Sequence, residues 1–249
     1  MQLSDSGPAH KQKRGIYLLP NLFTTSALFA GFYAISAAIE GHFDQAVIAI
    51  FIAFVLDGLD GRVARLTQTQ TAFGAEYDSL SDLIAFGLAP ALLVHQWALT
   101  GMGKPGWFVA FIYTATTALR LARFNTVQTG DKKYFTGLPS PSAAAILAAT
   151  VWIIDSSGYP GTALDWLIAI LTILVGLLMV SNIRYYSFKE IDFKGKVPFI
   201  SAVVIMLALA VVLTRPAPIL FTLFLIYSLS GPITALYRLR RYQRRQTHR

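Results

Sequence analysis

Apolar runs long enough to cross a bilayer recur along the chain, near residues 17–39, 46–66, 78–99, 107–127, 139–154, 164–182, 197–214 and 219–237. Short polar turns separate them, and each run predicts one transmembrane helix. The expected fold is therefore an all-α, polytopic membrane bundle of eight helices. The fifth run is short and led by Pro139 and Pro141. The second run ends, and the third begins, inside one polar stretch. Irregular polar backbone is tolerated there only if it faces a cavity or the aqueous boundary.

Composition agrees: 55% of the 249 residues are hydrophobic and only 14% charged, which excludes an ordinary soluble domain. There is no cysteine, so neither a disulfide framework nor a thiolate-bound metal is available. The polar segment Met1 to Arg14 leads into a first run without a small-residue cleavage site, and that run reads as a retained span. No heptad repeat, low-complexity linker or second domain interrupts residues 1–249.

The net charge of +8 raises the question of nucleic acid, but its distribution answers it. With eight spans, only Lys104 and Arg215 of the 21 Lys and Arg lie on one side; the other nineteen share the side of the two termini. By the positive-inside rule that side is cytoplasmic. The charge is then topological and partly lipid-directed, and no nucleic-acid partner is needed.

The exceptional stretch is Asp57-Gly-Leu-Asp60-Gly61-Arg-Val-Ala64-Arg65, then eight residues, then Gly74-Ala-Glu-Tyr-Asp78-Ser-Leu-Ser-Asp82. On a helix, Asp57, Gly61 and Ala64 share a face with Asp60, and Asp78 shares one with Asp82. Two helices crossing here bring four carboxylates together, and Gly58, Gly61, Ala64 and Gly74 are expected to permit close backbone approach. Four acids at one site require cations, and hard oxygen ligands suit Mg²⁺ or Mn²⁺. The plainer alternative is that they cap helices or pair with Arg62 and Arg65. Ionisable groups at membrane depth are costly, which favours function.

At every defined position the stretch resembles the motif D-x2-D-G-x2-A-R-x8-G-x3-D-x3-D of the CDP-alcohol phosphatidyltransferase family. Two further strings extend the resemblance over nearly all of residues 17 to 141. One is Pro20-Asn21-Leu-Phe-Thr24, entering the first span. Read alone, its polar residues are a helix cap and a tolerated hydroxyl; the resemblance adds a cytidine contact. The other is Arg120-Leu-Ala-Arg123-Phe-Asn125 with Phe135-Thr-Gly137-Leu-Pro139-Ser-Pro141, similar to the membrane-embedded phosphatidylserine synthase branch. Guanidinium groups here suit phosphate or a substrate carboxylate, with interfacial snorkelling as the plain alternative. Ala27 departs from the branch, where Asn is expected.

The resemblance implies an integral protein of a bacterial or archaeal cytoplasmic membrane whose site faces the cytoplasm. It implies CDP-diacylglycerol as donor and L-serine as acceptor, with two Mg²⁺ or Mn²⁺ ions. Asp57, Asp60 and Asp78 would ligate the ions; Asp82 would stand at the second ion and act as general base, since a serine hydroxyl is a poor nucleophile. Pro20, Asn21, Thr24, Gly61, Arg65, Thr71 and Gly74 would line the nucleotide or CDP-lipid site. Arg120, Arg123 and Asn125 would form the acceptor or phosphate pocket. Residues 17–182 would be a six-helix catalytic core, with two more helices and a basic tail in 183–249. The last two spans would pack on the core or form a homodimer contact. Glycerol 3-phosphate, an inositol phosphate and choline remain as rival acceptors. The rival of another class, a cation-coupled transporter, calls for a second, inverted copy of the acidic motif, and none follows residue 83.

Overall fold

The computed structural model describes residues 18–67, 69, 71–126, 134–186, 206–207 and 210–246. Helices dominate: α1 (Leu18–Ile39), α2 (Phe43–Thr67), α3 (Ala72–Met102), α4 (Lys104–Thr126), α5 (Ser140–Asp155), α6 (Asp165–Val180) and α7 (Pro216–Gln246). Six of the eight expected runs correspond to α1–α6. The seventh, 197–214, lies largely outside the described residues, and α7 carries the eighth run on into the basic tail as far as Gln246.

By length and composition, Pro20–Ile39, Ala72–Met102, Gly161–Val180 and Pro216–Tyr237 can each cross a membrane, and Ser140–Asp155 is a shorter apolar helix. The chain is a helical membrane protein. α2 and α4 are also long, but each carries charges along its length: Asp44, Asp57, Asp60, Arg62 and Arg65 in α2, and Lys104, Arg120 and Arg123 in α4.

α1 and α2 form a tightly packed hairpin, because α1 turns a face of small residues (Ala27, Ala30, Gly31, Ala34, Ala37 and Ala38) into the core. Gly41, at φ +80°, ends α1: its N–H reaches the Ala38 carbonyl, and the next N–H, of His42, reaches Ala37. Ala27, where the resemblance expected Asn, is buried in that small-residue face.

α3 crosses α1 closely enough that a Cβ on Gly31 would lie 2.7 Å from the Ala85 Cα. Its ladder widens into π-helix twice, at Leu83–Leu88 and His95–Leu99, the first directly after Asp82. α5 is the hub: Ser140 and every residue from Ser142 to Val151 are buried, as expected of a helix surrounded by others.

One departure from an all-helical fold is a short antiparallel pair, β1 (Tyr134–Thr136) with β2 (Arg184–Tyr186), in which Phe135 faces Tyr185. Three-residue strands are too short to leave an alternating pattern in the sequence. After β1, Gly137 sits at φ +80° where a side chain would collide with the Met179 carbonyl. β2 is strapped to α7: Tyr185 donates to the Ser228 carbonyl (3.0 Å), Tyr227 donates to the Tyr186 carbonyl (3.1 Å), and Gly231 leaves the space that the Tyr185 ring fills. The eighth run therefore packs on the body of the protein.

Candidate active site

Two helices and a short turn build the acidic site. Asp57 and Asp60 lie one turn apart on α2, and Asp60 is the only charged residue among the buried residues of that helix. The turn after α2 is closed by Thr69, whose N–H bonds to the Ala64 carbonyl and whose hydroxyl meets that of Thr67 at 2.7 Å. Thr71 then caps α3, its Oγ1 accepting the Gly74 N–H at 3.0 Å. That cap sets the phase of α3, and Asp78 is carried back over Asp57 and Asp60.

The three carboxylates of Asp57, Asp60 and Asp78 each offer an oxygen, and these oxygens lie within 4.8 Å of one another. Thr24, buried on α1, donates its hydroxyl to Asp60 Oδ2 at 2.8 Å. The donor set is all hard oxygen, and the gathered negative charge fits a divalent cation of the Mg²⁺ or Mn²⁺ kind.

Asp82 is not among the three whose oxygens meet within 4.8 Å; it lies one turn further along α3, at the start of the first π-helical segment, within electrostatic reach of Asp57, Asp78 and Asp60 and with Arg120 as its cationic neighbour. The role of the glycines differs from expectation. A Cβ on Gly58 would meet nothing within 4 Å, and one on Gly61 would meet only Arg65 Nη1 at 3.6 Å. These positions leave open space beside the aspartates, and close helix contact is made instead by Gly31 against Ala85.

The remaining sequence-predicted residues separate into groups. Pro20, Asn21 and Thr24 run along the α1 entrance; the Thr24 hydroxyl shares its proton between Asp60 and, at the longer 3.1 Å, the Pro20 carbonyl, and a Cβ on Gly74 would lie 3.6 Å from Asn21 Oδ1. Asn21 thus faces the start of α3, where Thr71 and Gly74 stand. Arg65 is exposed near the end of α2. Arg120 is buried and donates from Nη1 to Ser140 Oγ at 2.8 Å. Arg123 donates instead to Asn182 Oδ1 (2.7 Å) and the Val180 carbonyl (3.4 Å), at the end of α6. Asn125 bonds to Ser79 Oγ at 3.0 Å and Glu76 at 3.4 Å, bracing α3 against α4. The predicted trio thus divides, and only Arg120 neighbours Asp82.

Sequence reasoning missed several supports. Ser81 Oγ donates to the Thr24 carbonyl at 3.1 Å, and Tyr77 shares a 2.9 Å hydrogen bond with Thr25. Both lie on α3 between or beside the motif aspartates, and both tie it to α1. Helical spacing alone could have put Tyr77 and Ser81, four apart, on one face. Nothing in the sequence names their partners.

The chain thus carries an acidic cluster, contributed by two helices, on a helical membrane body. The family model for CDP-alcohol phosphatidyltransferase matches residues 17–178, and the chain belongs to this family. Among its relatives is the CDP-diacylglycerol–serine O-phosphatidyltransferase of Helicobacter pylori, 37% identical over 223 residues, covering 89% of this chain and 92% of the relative. The enzyme of the same name from Mycobacterium tuberculosis is 34% identical over 179 residues, covering 69% of this chain and 62% of the relative. The archaetidylserine synthase of Methanothermobacter thermautotrophicus is 37% identical over 169 residues, 67% of this chain and 69% of the relative.

Proposed function

We propose that this protein transfers the phosphatidyl group of CDP-diacylglycerol to the hydroxyl of L-serine, giving phosphatidylserine and CMP. The observation that carries the reading is the convergence of Asp57, Asp60 and Asp78 to within 4.8 Å, beside Asp82. The names of the relatives above support serine as acceptor.

In the proposed reaction the serine oxygen forms a bond to the lipid-bearing phosphorus as the bond from that phosphorus to CMP breaks. Asp82, at the second ion, receives the hydroxyl proton; its place just beyond the three carboxylates that meet within 4.8 Å leaves it an oxygen for this work. Asp57, Asp60 and Asp78 would hold Mg²⁺ or Mn²⁺, a pair of ions in the full proposal, which when bound supplies charge neutralisation for the diphosphate and the departing phosphate. Thr24 orients Asp60 through its 2.8 Å hydrogen bond. Gly61 leaves room for the nucleotide, Arg65 offsets diphosphate charge, and Pro20, Asn21, Thr71 and Gly74 line the nucleotide side.

The basic-residue asymmetry supports eight spans with both termini and the site cytoplasmic, the lipid tails lying among the membrane lipids and cytidine towards the cytoplasm. α1–α6 would be the catalytic core. The experiment is labelled-serine incorporation by purified protein with CDP-diacylglycerol, run beside glycerol 3-phosphate, an inositol phosphate and choline, with Mg²⁺, with Mn²⁺ and in excess chelator. The expected result is labelled phosphatidylserine with either ion and none in chelator. Full turnover in chelator refutes the metal assignment, and preference for another acceptor refutes serine.

A further inference from the structure

Arg120 has more donors than partners. It is 9% exposed, on the last turns of α4, and a guanidinium taken out of water must satisfy five N–H donors. Ser140, wholly buried at the first position of α5, takes Nη1 at 2.8 Å. Nε is buried and has no hydrogen-bond partner among the described residues. Nη1 lies on the opposite side of the guanidinium from the edge formed by Nε and Nη2. That edge is the one which grips a carboxylate through two parallel N–H···O bonds. Asp82, Tyr227, Tyr113 and Asp57 lie within electrostatic reach of Arg120.

The support for Ser140 extends beyond residues 17–178, the segment matched to the family. β1 leads through Gly137 into Ser140, β1 pairs with β2, and β2 is strapped to α7 by the Tyr185 and Tyr227 hydroxyls. The C-terminal helix thus helps to fix the loop that orients Arg120.

Resting on the serine reading above, we propose that the Nε–Nη2 edge of Arg120 binds the carboxylate of an amino-acid acceptor and so delivers its hydroxyl to Asp82. A lipid phosphate is the other oxyanion that could use the same edge. The position favours the carboxylate: the diphosphate is drawn to the Asp57–Asp60–Asp78 side, and in-line displacement puts the acceptor on the face away from the leaving CMP. Arg123 and Asn125 are already engaged elsewhere, with α6 and α3.

The test compares L-serine with L-serinamide, which keeps the hydroxyl and amine but lacks the carboxylate, using full-length purified protein, R120K and R120Q. Both variants should raise the KM for L-serine by about ten- to a hundredfold, the size of a lost charge-assisted contact. The KM for CDP-diacylglycerol should stay near wild type, and any loss with L-serinamide, which reports what the missing charge does to Asp82, should be far smaller than the loss with L-serine, so that discrimination between the two acceptors collapses. Equal losses with both acceptors overturn the anchor, and a rise confined to the CDP-diacylglycerol KM assigns the edge to the lipid phosphate. Should both variants fail to fold, S140A keeps the charge and removes only the orienting contact. It should raise the serine KM several-fold without changing turnover of L-serinamide, and an unchanged serine KM overturns the proposal. A wild-type protein that turns over another acceptor but no L-serine defeats the serine reading itself, before any variant is compared.

Discussion

Thr24 on α1 donates its hydroxyl to Asp60 Oδ2 on α2 at 2.8 Å, joining residues 36 positions apart in the chain. Asp60 is 5% exposed, so this donor meets an oxygen that water scarcely reaches. The contact makes the first helix part of the acidic site.

Thr24→Val should therefore cost about 1–3 kcal/mol, the penalty for leaving a buried acceptor without its donor. It should also weaken activation by Mg²⁺ or Mn²⁺, because Asp60 loses its orientation. Thr24→Ser, which keeps the hydroxyl, should recover most of both. Thermal unfolding in detergent and the metal concentration for half-maximal activity measure the two effects, and a valine variant equal to wild type in both removes the assignment.

Asp57 and Asp82 should fail differently. Asp57→Asn removes a charge from the three-carboxylate group and should weaken both metal and CDP-diacylglycerol binding. Asp82→Asn keeps the shape but removes the proposed base, so nucleotide binding should survive while the single-turnover rate falls by roughly 10²- to 10⁴-fold. The comparison is CDP-diacylglycerol affinity beside single-turnover rate at fixed metal. An Asp82→Asn protein that keeps most of its rate places the base elsewhere.

Gly31 tests the packing that brings α3 to the site. A side chain there meets the Ala85 backbone, with its Cβ only 2.7 Å from Ala85 Cα, and Gly31→Leu should destabilise by about 1–3 kcal/mol or more through overpacking. Gly58→Ala has nothing within 4 Å of the new Cβ and should hold or raise stability, by up to about 1 kcal/mol from helix propensity. Equal melting temperatures for the two variants would contradict the close α1–α3 crossing.

Reporter fusions at residues 5 and 245 should lie on the same, cytoplasmic side, as an even number of spans and the basic asymmetry require. Fusions reporting opposite sides would refute the eight-span topology.

The helical membrane body was legible because spanning helices need long apolar runs, and those runs are visible one residue at a time. The acidic motif was legible for a related reason: Asp57 and Asp60, or Asp78 and Asp82, are neighbours within one helix, and helical period fixes them locally. What one helix presents to another was not legible. The sequence placed Asp78 and Asp82 on one face, yet only the crossing of α2 and α3 decided that Asp78 joins Asp57 and Asp60 while Asp82 stands outside their group. It placed Arg120, Arg123 and Asn125 in one string, and the tertiary structure turned them to Ser140, to Asn182 and to Ser79. Glycine was equally ambiguous, since the lack of a side chain can serve a helix contact, as at Gly31, or an open space, as at Gly58. Local periodicity determines which residues share a face; long-range packing determines what that face meets, and for Asp82 and Arg120 that second decision sets their neighbours.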